Sequence, residues 1–316
     1  MTAMNAYGHL AMRILKTGCR RGKILQMENF PDFLESELAQ LQGRDALFQV
    51  IPVPLEQTVS YGGGTARAPG AILNASQQLE AWDGSSEPLT AGISTTPFID
   101  CYGDISAILR RIEETVQAVV DKKAIPVVLG GEHTVSLAPI RVLAGQCTEP
   151  IGIIQLDAHA DLRASYEGTP YSHACVMRRV LEECGCQLFQ FGVRALCREE
   201  VDYRNKHGVY HLDGRAIYNT NLADFALPED FPENIYLTLD VDGLDPSVLG
   251  ATGTPVPGGP GWYQTLTFLE RAVAGRKVVG FDLVELAPRE GDHGSDFAAA
   301  QLVYLVMGII TRNLGL

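Results

Sequence analysis

Seven short apolar runs, rich in valine and isoleucine, recur along this 316-residue chain, with segments of helical periodicity between them. The runs are ALFQVIPVP (46–54), AIPVVLGG (124–131), IGIIQLDA (151–158), QLFQFGV (187–193), GVYHL (208–212), NIYLTLDVD (234–242) and KVVGFDLVEL (277–286). Most are hydrophobic on both faces, which marks parallel strands covered on each side. In DISAILRRIEETVQAVVDKK (104–123), Ile105, Ile108, Leu109, Ile112, Val116 and Val119 follow the helical period. SHACVMRRVLEEC (172–184) and YQTLTFLERAVAG (263–275) behave alike. This alternation predicts a parallel sheet sandwiched by helices. No repeat, low-complexity tract or linker divides the pattern, which therefore predicts a single domain over residues 28–316.

Open parallel sheets bind ligands beyond the carboxyl ends of their strands, and three such ends carry metal-competent side chains. IGIIQLDAHAD (151–161) finishes with Asp157, His159 and Asp161 on alternate positions. If the extended conformation persists, all three point to one side. Taken alone, the motif also reads as two loop-capping aspartates around a rim histidine. VVLGGEHTVSL (127–137) turns at Gly130-Gly131 and presents His133 where a helix begins. LTLDVDGLDP (237–246) ends with Asp240 and Asp242, again two apart, whereas Asp245-Pro246 reads as turn chemistry.

Four carboxylates beside two imidazoles at one sheet edge would repel one another if empty. A multivalent cation removes the conflict. The set exceeds what one tetrahedral zinc needs, and its oxygen-rich chemistry without thiolate suits manganese. If one carboxylate from each Asp-containing motif bridges, six ligands hold two ions about 3.5 Å apart, with a water between them ionised near neutral pH.

The formal charge of −13 works against nucleic acid or an anionic membrane surface as partner and favours a cationic substrate. Seven dispersed cysteines without C-x-x-C spacing argue against a disulfide framework or a zinc ribbon and point to a reducing cytoplasm. Cys184-Gly-Cys186 reads either as a redox pair or, more simply, as the end of a helix. No run reaches the roughly 18 apolar residues of a membrane span; FAAAQLVYLVMGII (297–310) contains Gln301 and reads as a buried C-terminal helix. Residues 1–27 hold Arg13, Lys16, Arg20, Arg21 and Lys23 with no acidic residue before Glu28. They read as a dispensable extension, a translation start at Met27 or an Arg-rich transit peptide, rather than a secretory signal.

GGEH, DAHAD and DVDGLDP in this order, followed by GTPVPGG (253–259) and FDLVEL (281–286), closely resemble the arginase and agmatinase superfamily of ureohydrolases. The resemblance spans the chain from about Phe48 to its C-terminus. It implies an α/β fold, a three-layer α/β/α sandwich with a mostly parallel, eight-stranded sheet, and two manganese ions. It further implies that His133, Asp157, Asp161 and Asp240 hold one ion, and Asp157, His159, Asp240 and Asp242 the other. Glu285 matches the family's guanidinium-binding carboxylate, and His173 in YSHA the histidine that relays protons. Family members are usually trimers or hexamers, so a homotrimer or homohexamer is expected.

The implied chemistry is attack of a metal-bridging hydroxide on a guanidinium carbon, with Asp161 carrying a proton to the leaving amine and His173 relaying it to solvent. Arginases hold the amino-acid end of their substrate with an SGN stretch before the matching histidine. Here LRASYEGTPYS (162–172) lacks it and is similar to agmatinases, which release urea and putrescine. Glu167 suits an amine-bearing substrate, while Arg163 leaves room for a carboxylate-bearing guanidine such as 4-guanidinobutyrate or 3-guanidinopropionate. Both also read as solvated loop residues. A metal-dead binding homologue and a one-zinc deacetylase of related fold are the competing classes, and the six intact ligands oppose each. SYGGGTARAPGAIL (60–73) has neither the P-loop lysine nor dinucleotide spacing and reads as a loop at the cleft mouth. His293 reads as a loop histidine before the last helix.

Overall fold

The computed structural model describes residues 30–38 and 46–316. The proposed N-terminal extension, residues 1–27, lies outside them. Among these residues there are eight strands: β1 (Phe48–Val53), β2 (Ile93–Thr95), β3 (Ile125–Gly130), β4 (Gly152–Leu156), β5 (Gln187–Phe191), β6 (Tyr210–Leu212), β7 (Asn234–Asp240) and β8 (Lys277–Val284). They form one sheet in the order β2-β1-β3-β8-β7-β4-β5-β6. Every pairing is parallel. All carboxyl ends therefore lie along one edge, and β3, β8, β7 and β4 are central.

Among the described residues the helices are α1 (Glu35–Leu38), α2 (Ala68–Ser76), α3 (Ile105–Asp121), α4 (Leu137–Gln146), α5 (Val176–Cys184), α6 (Arg198–His207), α7 (Gly214–Ile217), α8 (Trp262–Val273) and α9 (His293–Leu314). Alternation along the strands builds two cores. In β3, Val127 and Leu129 join α2, α8 and α9 on one face, whereas Val128 joins α3, α4 and α5 on the other. The result is a three-layer α/β/α sandwich. Fully burying each such side chain contributes about 1.5–3 kcal/mol. The rings of Phe191 in β5 and Phe268 in α8 stack with centroids 3.7 Å apart, joining sheet to helix.

Several helix ends follow from single residues. Asp104 caps α3 by accepting from the Ala107 N–H at 3.0 Å. Gly185, left-handed at φ 65°, closes α5, so Cys184-Gly-Cys186 is a helix end; the six described cysteines are free thiols. His293 is the first residue of α9 rather than a loop residue, because Asp292 caps the helix through the Ser295 N–H and hydroxyl. Helix α9 is long and apolar enough to cross a membrane, yet most of its length is buried against the sheet. Gly308 within it leaves room for Asp83, whose Oδ2 would lie 1.9 Å from an added Cβ.

Candidate metal centre

Four adjacent strands deliver the site. At the end of β3, Gly131 packs so closely that an added Cβ would lie 2.0 Å from the Leu55 carbonyl oxygen. This turn starts the single 3₁₀ turn His133–Ser136 and buries His133. Strand β4 stops at Leu156, so the extended conformation does not continue through Asp161. Asp157 bends the chain by accepting from the His159 N–H at 2.5 Å, and Asp161 adopts a left-handed φ of 54°. A turn, not strand alternation, brings the three side chains together. At the end of β7, Asp240 accepts from the Asp242 N–H at 2.8 Å and so caps the 3₁₀ turn that follows.

The six residues converge. His133 Nδ1 lies 3.2 Å from Asp157, 3.0 Å from Asp161 and 3.4 Å from Asp240. His159 Nδ1 lies 3.0 Å from Asp242 and 3.6 Å from Asp157. Donor atoms of His133, Asp157 and Asp161, and of Asp157, His159 and Asp242, form two groups, each within 4.8 Å. Asp157 belongs to both.

Outer partners fix these groups. His133 Nε2 is 2.8 Å from the Thr238 hydroxyl, which donates to Asp282 at 2.7 Å. Since that hydroxyl's proton is committed to a carboxylate, it accepts from His133 Nε2–H and leaves Nδ1 a lone pair. Gln155 donates to Asp157 Oδ2 at 2.7 Å and accepts from Gln190, whose own amide oxygen accepts from Arg204 at 2.6 Å. Arg204 has no acceptor, so it sets the orientation of both amides. Arg194 donates to the carbonyls of Gly192, Asp242, Gly243, Leu244 and Val256, pinning the DVDGL and GTPVPGG loops together.

The electrostatics are those of a cluster lacking positive charge. Burial, then Asp157's charge, pushes the Asp161 carboxyl up to about 7. Burial followed by Asp242 and Asp157 raises Asp240 well above the carboxylate range. Burial also raises Asp157, but His133 and His159 outweigh it and hold this carboxyl low. For His133 and His159 burial lowers the imidazole, yet the facing carboxylates raise both, His159 to about 12.

A cavity opens over the cluster, lined by His159, Asp161, Asp240 and Asp242 together with His173 and Glu285. Glu285 follows β8 at φ 64°, is buried, and accepts from the His133 N–H at 2.7 Å; burial pushes it up to about 8. His173 begins a 3₁₀ turn before α5, with its imidazole lowered by burial. The rim is Val59–Gly62 with Gly253 and Thr254, as expected of the glycine-rich loop. Arg163 and Glu167 do not line the cavity: Arg163 stacks 5.2 Å from the Tyr166 ring, and Glu167 is exposed at a tight turn. Asp245 braces its loop through Ser247 and Gly258. Sequence reasoning missed Thr58, Glu132, Gln155, Arg194 and Thr254. Only Glu132, a charge set inside a tight turn, gave a signal.

The sequence model of the Arginase family matches residues 46–308. The chain belongs to the arginase family. N(1)-aminopropylagmatine ureohydrolase from Synechocystis sp. is 38% identical over 287 residues, covering 87% of this chain and 92% of that one. Agmatinase from Pyrococcus horikoshii is 33% identical, covering 88% and 97%. The crystal structure of the agmatine ureohydrolase of Thermoplasma volcanium superposes with a TM-score of 0.78 at 28% identity, covering 86% of this chain and 92% of that one. This arginase-family chain is an enzyme, a ureohydrolase of the C–N hydrolase class.

Proposed function

We propose that the chain hydrolyses the guanidinium group of agmatine to urea and putrescine, using two manganese ions. The observation that carries this reading is the pair of donor groups sharing Asp157 beside the buried carboxylate of Glu285. The donors suit a metal: His133 Nδ1 is buried, shared among three carboxylates and aligned for a hydrogen bond with none. His133, Asp157, Asp161 and Asp240 would hold one ion, and Asp157, His159, Asp240 and Asp242 the other. Bound there, the ions supply Lewis acidity and water ionised near neutral pH.

The remaining work falls to side chains. Glu285 binds the planar guanidinium through charge-assisted hydrogen bonds, its Oε1 steadied by the His133 N–H. Asp161 delivers a proton to the leaving nitrogen, because an amide anion is too basic to depart, and His173 exchanges that proton with solvent. The substrate has an amine rather than a carboxylate at its far end: the 162–172 segment lacks the arginase stretch, and Arg163 is outside the cavity lining. The 38% identity to an N(1)-aminopropylagmatine ureohydrolase favours that longer amine as the second reading. We assign residues 28–316 to one ureohydrolase domain and residues 1–27 to an extension, and we expect a cytoplasmic homotrimer or homohexamer.

The test is urea release with manganese across agmatine, N(1)-aminopropylagmatine, arginine and 4-guanidinobutyrate, beside metal content per chain. Two ions with preference for an amine-ended guanidine support the reading. Preference for arginine or guanidinobutyrate overturns the substrate, and a metal-free chain releasing no urea overturns the activity.

A further inference from the structure

Glu132 has no part in the chemistry above, yet it is a fully buried carboxylate beside the site. Its Oε2 accepts the N–H groups of Gln57 and Thr58, each at 2.6 Å, and its Oε1 accepts the Thr58 hydroxyl at 2.9 Å. A carboxylate only accepts, so the single proton on Thr58 Oγ1 is committed to Glu132. The same oxygen accepts the His173 N–H at 3.1 Å and lies 3.2 Å from His173 Nδ1. With its proton spent, Thr58 can only accept from that ring nitrogen. The nearer partner thus favours the proton of the neutral imidazole on Nδ1, with the lone pair on Nε2. The hydroxyl of Ser172 also approaches Nδ1, at the longer distance of 3.3 Å, and can accept from it or donate to it.

We propose that Glu132 and Thr58 are positioning residues that hold His173 as its Nδ1–H tautomer and turn Nε2 toward the cavity as a proton acceptor. The proposal rests on the reading of His173 as the proton relay, but its structural half stands apart from turnover. The direction of donation is set two residues away from the imidazole. Glu132 also ties the segment through Gln57 and Thr58, which leads into the cavity rim at Val59, to the turn that carries His133. The tautomer of the relay and the placement of the rim thus depend on one carboxylate.

The test reads the tautomer directly. The full chain, labelled with ¹⁵N histidine and loaded with magnesium to avoid paramagnetic broadening, gives His173 nitrogen shifts assigned with His173→Gln. The wild type should show Nδ1 protonated. Glu132→Gln turns an amide donor toward Thr58, so the threonine proton moves to His173 Nδ1 and the ring should switch to Nε2–H. Thr58→Val should lose the preference and Thr58→Ser restore it, whereas Ser172→Ala should leave it unchanged. In urea-release kinetics with manganese, Thr58→Val should lower kcat at least tenfold with KM within about twofold, and Thr58→Ser should recover most of it. An Nε2–H ring in the wild type, or Nδ1–H persisting in Glu132→Gln, overturns the proposal whether or not agmatine is the substrate. A switch produced by Ser172→Ala also overturns it, by moving the role to that hydroxyl.

Discussion

Replacing Thr238 with valine preserves side-chain shape and removes one oxygen from the centre of the molecule. That oxygen makes two short contacts, 2.8 Å to His133 Nε2 and 2.7 Å to Asp282 Oδ1, and a longer one of 3.3 Å to Ser136 Oγ, and all are lost together. Thr238 is fully buried, so no solvent replaces it. An imidazole N–H left without an acceptor costs about 1–3 kcal/mol. Asp282 keeps the Tyr236 hydroxyl at 2.8 Å, which limits its own loss. The variant should thus be destabilised by about 2–4 kcal/mol in total.

The metal site should weaken separately. Without an acceptor at Nε2, nothing reserves the Nδ1 lone pair for the face that meets Asp157, Asp161 and Asp240. Loss of such an outer partner typically lowers metal affinity about 10–100-fold, or about 1.4–2.8 kcal/mol. Urea denaturation of the chelated protein measures the first effect, and calorimetric titration with manganese the second. Thr238→Ser, which keeps the hydroxyl, should sit near wild type in the titration. Wild-type manganese affinity in Thr238→Val would refute the claim that this hydroxyl orients His133.

Other consequences are as direct. Glu285→Gln leaves the guanidinium without its charge partner, and kcat/KM for agmatine should fall by about 2–5 kcal/mol of transition-state binding, roughly 30- to 4000-fold, while manganese content stays near wild type; an unchanged kcat/KM would remove Glu285 from substrate binding. Gly62→Ala places a Cβ 2.8 Å from the Gly253 carbonyl oxygen, so the rim must shift; KM should rise several-fold with little change in the melting curve. Asp83 accepts from Arg312 and from the Ser85 and Ser86 N–H groups, which together outweigh burial and hold its carboxyl below 3.8. A group depressed on folding stabilises above its unfolded pKa and loses that contribution as pH falls through its folded value. Asp83→Asn should therefore cost about 1–3 kcal/mol at neutral pH and progressively less in acid below about pH 4, read from urea midpoints across that range.

What the sequence disclosed follows the range of each interaction. Runs buried on both faces were plain, because their hydrophobicity is a local property. Strand β2 was not, since Ile93 is buried while Ser94 and Thr95 are half-buried at the sheet edge and show no apolar run. The D-x-H-x-D spacing disclosed the site while misdescribing its backbone, because alternate residues can also converge through a turn. Asp161's left-handed φ leaves no trace in composition. In REGDHGSD the cap at Asp292 was hidden by the glycines around it. Thr58 was invisible for another reason: its partner Glu132 lies 74 residues away and its neighbour His173 lies 115 away. Arg163 and Glu167 were legible only as charges near the motif, and the turn of their segment takes them away from the cavity lining.

Strand order is the part that no local pattern carries, and it decides how the two halves of the site meet. β8 is last in sequence, yet it lies between β3 and β7. In that place Val127 pairs with Phe281, and the Glu285 N–H bonds to the Gly131 carbonyl at 2.8 Å. The carboxylate of Glu285 then receives the N–H of His133 itself. The proposed guanidinium acceptor and a proposed metal ligand are thus joined through one peptide and two adjacent strands, without an intervening loop. Were β8 at the sheet edge, Glu285 could reach the cluster only on a long loop, at a cost in ordering entropy and precision. The sheet order therefore fixes the place of Glu285 beside the turn that carries His133, while Val59–Gly62 reach the cavity rim from a separate loop after β1.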